Sequence, residues 1–144
     1  MFKTQANDLS FGITAEQQIL PRLNNFFQDT AVPYEEVYST ADFHSCKNVY
    51  ELKSRRIKHD TYSTAIIGCN KAVLKPADKG KDLYFVFNYT DGLYYIRYCD
   101  EVFNTFNKKS FCRHARSDYA DRANDVFEIP IEKLIKIGTE TVPL

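Results

Sequence analysis

The sequence predicts a single domain of mixed α and β structure, with a central mixed β-sheet flanked by helices. Three local patterns carry that expectation. A capping box, Thr14-x-x-Gln17, precedes apolar residues at helical spacing. The segment "VYELK" alternates in polarity with period two. The run "DLYFVFNY", "TDG", "LYYIRYC" is a β-hairpin in sequence form.

Taken in order, Ala15, Ile19, Leu23, Phe26 and Phe27 form one face of a first helix. Pro21 lies within it and predicts a kink or a later start, while Pro33 marks the exit. Residues 34–40, "YEEVYST", carry the aromatic and β-branched content of a short strand. A polar stretch from Asp42 to Asn48 follows. In "VYELK", Tyr50 and Leu52 face one side and Glu51 and Lys53 the other. Residues 61–74 read as a second helix, with Ala65, Ile66, Cys69 and Val73 on one face. In the hairpin, Asp91-Gly92 is the expected turn. Phe103 to Phe111 is expected as an irregular strand or short helix. "DVFEIP" is expected as a last strand, and "PIEKLIKI" as a closing short helix with Pro130 near its start. No repeat or domain boundary interrupts the 144 residues, so residues 1–144 read as one domain.

Composition narrows the function classes. Hydrophobic residues make up 44% of the chain, with eleven Phe and ten Tyr, which excludes a disordered segment. No apolar run approaches the roughly 18–20 residues of a membrane span, and "MFKTQANDLS" lacks a signal-peptide layout. The expectation is a soluble, cytoplasmic protein with reduced thiols at its four cysteines. His44, Cys46, Cys112 and His114 offer two sulfur and two nitrogen ligands to zinc, but their spacing is not that of a zinc site. Nineteen basic and nineteen acidic residues cancel, so attraction to nucleic acid has to be local. Two basic groups supply it: Lys47, Lys53, Arg55, Arg56 and Lys58, then Lys108, Lys109, Arg113, His114 and Arg116.

The chemistry concentrates in "ADFHSCKNVYELKSRR". On a strand, Glu51 and Lys53 share a face about 6–7 Å apart. If Asp42 lies on a neighbouring strand or turn, its carboxylate can meet that of Glu51. Two such acids repel unless a cation occupies the gap. A hard divalent ion suits these oxygens, with the Leu52 carbonyl as a further donor. Lys53 would orient a water or offset charge building on phosphorus, and Arg55 and Arg56 would hold neighbouring phosphates. The bland reading is an outer sheet face carrying a weak Glu51–Lys53 ion pair.

Asp42 ahead of Glu51-x-Lys53, with a helix before and a helix expected after, resembles the PD-(D/E)XK nuclease superfamily. That family has the restriction-endonuclease-like fold with an αβββαβ core. The order of elements matches over residues 12–100, and about a dozen residues carry the motif. The resemblance implies a metal-dependent nuclease cutting DNA with Mg²⁺, which Mn²⁺ replaces. Asp42 and Glu51 would be the metal ligands and Lys53 the catalytic lysine. Glu16 on the first helix would be a further ligand, although an acid in a first helical turn is favoured by the helix dipole alone. Lys71, Arg113 and Arg116 join Arg55 and Arg56 as expected nucleic-acid contacts, and many members are homodimers. Ala41 stands where the family signature has proline. The alternative is a non-catalytic nucleic-acid-binding or protein-interaction module of the same fold.

Overall fold

A computed structural model describes residues 16–34, 41–69, 80–111 and 124–138. Their architecture is three layers: a helix, a six-stranded mixed sheet and a three-stranded sheet. The first helix, α1 (16–27), continues through Pro21 without a break. The proline nitrogen has no hydrogen for the Gln17 carbonyl, and both residues are exposed, so water can serve that oxygen. Gln28 ends the helix in the left-handed region, at φ 52°. Lys47 Nζ donates to its carbonyl at 3.0 Å.

The large sheet contains β1 (Val32–Pro33), β2 (Phe43–His44), β3 (Asn48–Ser54), β5 (Asp82–Tyr89), β6 (Gly92–Arg97) and β9 (Ile135–Lys136), side by side in that order. Only β3 and β5 run parallel, and all other pairs are antiparallel. The second sheet has the order β4 (Thr64–Gly68), β8 (Asn124–Pro130), β7 (Asn107–Phe111), antiparallel throughout. A one-turn helix, α2 (Asp100–Phe103), leads from β6 into β7.

Period-two alternation divides the core between the two faces of the large sheet. Tyr50, Val86 and Leu93 pack with Phe43 under Ile19 and Leu23 of α1. Burying those two aliphatic side chains contributes roughly 1.5–3 kcal/mol each to docking the helix. On the opposite face, Val49, Phe85, Phe87 and Ile96 meet Ala65, Ile67, Phe127 and Ile129 of the second sheet. Phe103 of α2 stands between the layers, edge-on to Phe127 at 5.2 Å.

Three expectations are corrected here. Residues 64–68 form a strand within the stretch expected as helix over 61–74. The helical reading needed Ile66 inside, yet Ile66 is 37% exposed while Ala65 and Ile67 are buried, which is strand periodicity. The sheet is therefore flanked by a helix on one face and by a second sheet on the other. The closing segment is a single 3-10 turn (Ile131–Lys133) followed by an edge strand, since Ile137 rather than Ile135 is the buried residue. The strand expected over 34–40 lies almost wholly outside the described residues, as do 70–74 of the expected second helix. No described helix is long and apolar enough to cross a membrane.

The hairpin forms one residue earlier than read: Tyr89 pairs with Gly92, leaving Thr90-Asp91 as the loop. Gly92 has φ 153°, a conformation that side chains rarely adopt. A Cβ there would also stand 3.2 Å from Lys136 Cε of β9. Gly92→Ala is expected to destabilise the fold by about 1–3 kcal/mol. A urea melt with an unchanged midpoint would show the hairpin tolerating the side chain.

Candidate metal centre

The site is built by a helix lying along a hairpin. From residue 16 to residue 27, α1 rises about 16 Å, and β3 covers about 13 Å from Asn48 to Leu52. One end of this pairing is fixed by Asp29, just past α1. Its Oδ2 accepts hydrogen bonds from Ser45 Oγ at 2.8 Å, Tyr50 Oη at 2.8 Å and Asn48 Nδ2 at 3.0 Å. Ser45 and Asn48 close the β2–β3 turn through the Ser45 N–H to Asn48 carbonyl bond at 2.8 Å. With the helix's last turn held at the hairpin tip, its first turn falls beside the hairpin's open end. Asp42 and Leu52 meet there, with Glu16 within electrostatic reach of Asp42.

Asp42 sits in the bend entering β2. Phe43 is the register partner of Tyr50, yet the Asp42 N–H also donates to the Tyr50 carbonyl at 3.0 Å. Two consecutive residues thus face one, the offset of a β-bulge, which re-aims the bulged side chain. The Asp42 carboxylate is captured at the edge of β3, where its Oδ2 accepts the Leu52 N–H at 2.6 Å. The N–H and carbonyl of a strand residue leave by the same edge, so the Leu52 carbonyl also faces the Asp42 side. Odd-numbered β3 residues bond the other way, toward β5, as the Arg55 N–H to Asn88 carbonyl bond at 2.8 Å shows. Asp42 and the Leu52 backbone therefore come together.

Glu16 belongs to the same neighbourhood. Partial burial and then the negative charge of Asp42 raise its carboxyl pKa above the ordinary value. That coupling places the two acids within electrostatic reach. Glu51 lies on β3's other face, beside Val49, and is 5% exposed with its Oε2 sealed from solvent. Lys53 follows on that face, half-buried, opposite Phe87 of β5.

The expected gathering of acids is looser than a single ion's shell. Among the described residues, the group with three His, Cys, Asp or Glu ligand atoms within 4.8 Å of one another is His59, Asp60 and Asp91, and it does not include Glu16, Asp42 and Glu51. Alternation puts Glu51 on the face of Val49, whereas the Leu52 N–H holds Asp42 at the strand edge. Arg55 and Arg56 are both exposed just past β3. Lys71, Arg113 and Arg116 lie outside the described residues, as do Cys112 and His114.

Sequence reasoning missed the His59 cluster, in which His59 and Asp91 are 32 residues apart. The His59 N–H donates to Asp91 Oδ1 at 2.9 Å, and its Nδ1 lies 2.6 Å from Asp91 Oδ2. The imidazole stacks on Tyr94 at 4.5 Å. Hydrogen bonding from His59 lowers the Asp91 pKa despite an opposing desolvation effect. Since Nδ1 and Oδ2 already bond each other, the group works as a pin between the segment after β3 and the tip of the β5–β6 hairpin. The only signal in the sequence was an aspartate at a turn.

No protein-family model matches this chain, and no curated protein matches it.

Proposed function

We propose that the protein is a metal-dependent nuclease that hydrolyses phosphodiester bonds, with DNA as the substrate. The observation that carries the reading is the capture of Asp42 at the Leu52 edge of a strand whose next residues inward and onward are Glu51 and Lys53. The order of elements supports it as well. A helix is followed by three antiparallel neighbours, β1, β2 and β3, then by a crossover to a parallel strand, β5. The expected αβββαβ order has a helix in that crossover, whereas its described part is the strand β4.

The donor types suit Mg²⁺, with Mn²⁺ as substitute, because Asp42, Glu51, the Leu52 carbonyl and Glu16 all offer hard oxygens, although binding would have to draw the three acids closer together. Such an ion lowers the pKa of a bound water and draws charge from a phosphate oxygen. The chain's own contribution is positional. Leu52 orients Asp42 through its N–H, and Lys53 presents an ammonium on the same face as Glu51, where charge on the phosphate would build. Arg55 and Arg56, exposed immediately beyond, supply contacts for flanking phosphates.

The separation of the three acids favours a second reading, a nucleic-acid-binding module of the same fold without catalysis. Metal affinity separates the two. Asp42→Asn keeps an oxygen for the Leu52 N–H but removes the charge, and should weaken Mg²⁺ or Mn²⁺ binding about tenfold or more. Isothermal titration with Mn²⁺ on folded protein checks it. Unchanged affinity removes Asp42 from the ligand set, and no binding by the wild type leaves the non-catalytic module.

A further inference from the structure

Beyond Lys53 lies a cavity of about 400 Å³ lined by residues of both sheets and of the segment that follows β3. Its volume lies within the roughly 300–1,000 Å³ of small-molecule sites. Phe87 and Tyr89 of β5 line it from the large sheet, and Ala65 and Ile66 of β4 line it from the second. Tyr62, 66% exposed, stands at the mouth with the cations Arg55 and Lys109. Phe87 is the register partner of Lys53, so the cavity wall begins one strand spacing, about 4.8 Å, from the candidate catalytic lysine's backbone. Arg55 reaches the inner wall electrostatically: burial raises the Tyr89 phenol pKa, and the Arg55 charge opposes that rise.

We propose that this cavity receives one base of a single-stranded nucleic acid, with Arg55 and Lys109 holding the phosphates on either side of that nucleotide. The proposal rests on the nuclease reading for its substrate class, because Phe87, the register partner of Lys53, lines the cavity.

The chemistry of the walls selects such a ligand. A flat aromatic ring gains from stacking on the exposed Tyr62, with the largely buried Phe87 and Tyr89 behind it, and each stacked base is worth about 1–3 kcal/mol in single-strand binders. A purely apolar ligand would leave the two cations without purpose, and a bare phosphate would leave the aromatic walls unused. Glu128 also lines the cavity. Its carboxylate repels phosphate and accepts from an exocyclic amine, so the base points toward Glu128 and the backbone toward Arg55 and Lys109. Within a duplex the base edges and faces are stacked and paired. Entry therefore requires a single strand or an extruded nucleotide, with unpairing costing a few kcal/mol.

The test is run in EDTA, so that cleavage plays no part. Anisotropy is measured with labelled oligodeoxyribonucleotide and oligoribonucleotide single strands and with the corresponding duplex. The single strand is expected to bind at least about tenfold tighter than the duplex. A nucleoside 5′-monophosphate should compete with it where inorganic phosphate at the same concentration does not. Ile66→Trp, which adds bulk at the cavity's lining, is expected to weaken single-strand binding about tenfold or more and leave duplex binding unchanged. Tyr62→Ala, an exposed change that spares the core, should weaken it in the same direction. Arg55→Ala and Lys109→Ala should each lower the slope of log affinity against log salt by about one.

Equal affinity for single strand and duplex, competition by phosphate alone, or indifference to both Ile66→Trp and Tyr62→Ala overturns the proposal, and so does no binding at all. The catalytic reading is tested separately with Mg²⁺. If Lys53→Ala still cuts while these binding results hold, the catalytic assignment falls and the cavity stands. If Lys53→Ala stops cutting while Ile66→Trp binds normally, the reverse follows.

Discussion

Lys53→Ala is expected to slow DNA cleavage by about 10²–10³-fold while leaving the fold intact. That is the usual loss when one group aimed at developing transition-state charge is removed. The position explains why the two effects separate. Lys53 lies near the end of the β3 ladder, half-buried, with Phe87 as its register partner on β5. The large buried side chains of β3 and β5, Tyr50, Phe85 and Phe87, are untouched by the change. An ammonium that acts only on the transition state should appear in kcat with little change in KM, whereas a ground-state phosphate contact would raise KM. Lys53→Arg keeps the charge but moves it to a wider, planar head, and should recover only part of the rate. Single-turnover cutting of linear and circular DNA with Mg²⁺ measures this. A wild-type rate in Lys53→Ala would take the lysine out of the mechanism, and a rise confined to KM would make it a binding residue.

The parts of this site that could be read beforehand are those governed by short-range periodicity. Alternation in "VYELK" separated Tyr50 and Leu52 from Glu51 and Lys53, and the two clusters divide in that way. The helical spacing of Ile19 and Leu23 survived Pro21, because the missing N–H falls at an exposed turn. The brevity of the 42–51 segment required a tight hairpin, which β2 and β3 form. What could not be read depended on a partner far along the chain. "TAIIG" is apolar at both helical and strand spacing. Pairing with β8, some 60 residues later, decides for the strand. Likewise, nothing local marks Leu52 as the residue whose N–H holds Asp42, since that contact follows from a one-residue bulge. Asp29 resembled an ordinary acid after a helix, and His59 an ordinary loop histidine.

Asp29→Ala is expected to cost about 3 kcal/mol of stability, lowering Tm by roughly 10 °C, although Asp29 lies outside the proposed catalytic group. Three side chains donate to one carboxylate oxygen, and all three, Ser45, Asn48 and Tyr50, are buried in the hairpin that carries the site. Asn48 Nδ2 retains its bond to Tyr50 Oη at 3.0 Å. The Tyr50 hydroxyl proton, however, loses its acceptor within a fully buried ring packed against Phe27 and Tyr84. Leaving a buried donor unsatisfied is what makes the loss large. Asp29→Asn keeps an acceptor oxygen and loses the charge, so it should cost less, about 1–1.5 kcal/mol.

The pH dependence gives an independent check. Burial alone would raise the Asp29 pKa, but hydrogen bonds from Tyr50, Ser45 and Asn48 and from the Thr30 N–H outweigh it and hold the pKa below the ordinary carboxylate value. A depressed folded-state pKa means stability that is fully present above the unfolded value, about pH 4, and is lost as pH falls through the folded one. The difference in Tm between wild type and Asp29→Asn should therefore be largest near neutrality and shrink below about pH 4. The same loosening would free the end of α1 from the hairpin tip and shift Glu16 relative to Asp42. Asp29→Asn is then expected to weaken Mn²⁺ binding at neutral pH even though it touches no proposed ligand. A Tm difference that stays constant down to pH 3 would show that the carboxylate's charge does not hold the hairpin. Unchanged Mn²⁺ affinity in a destabilised Asp29→Asn protein would show that the helix does not help place the metal ligands.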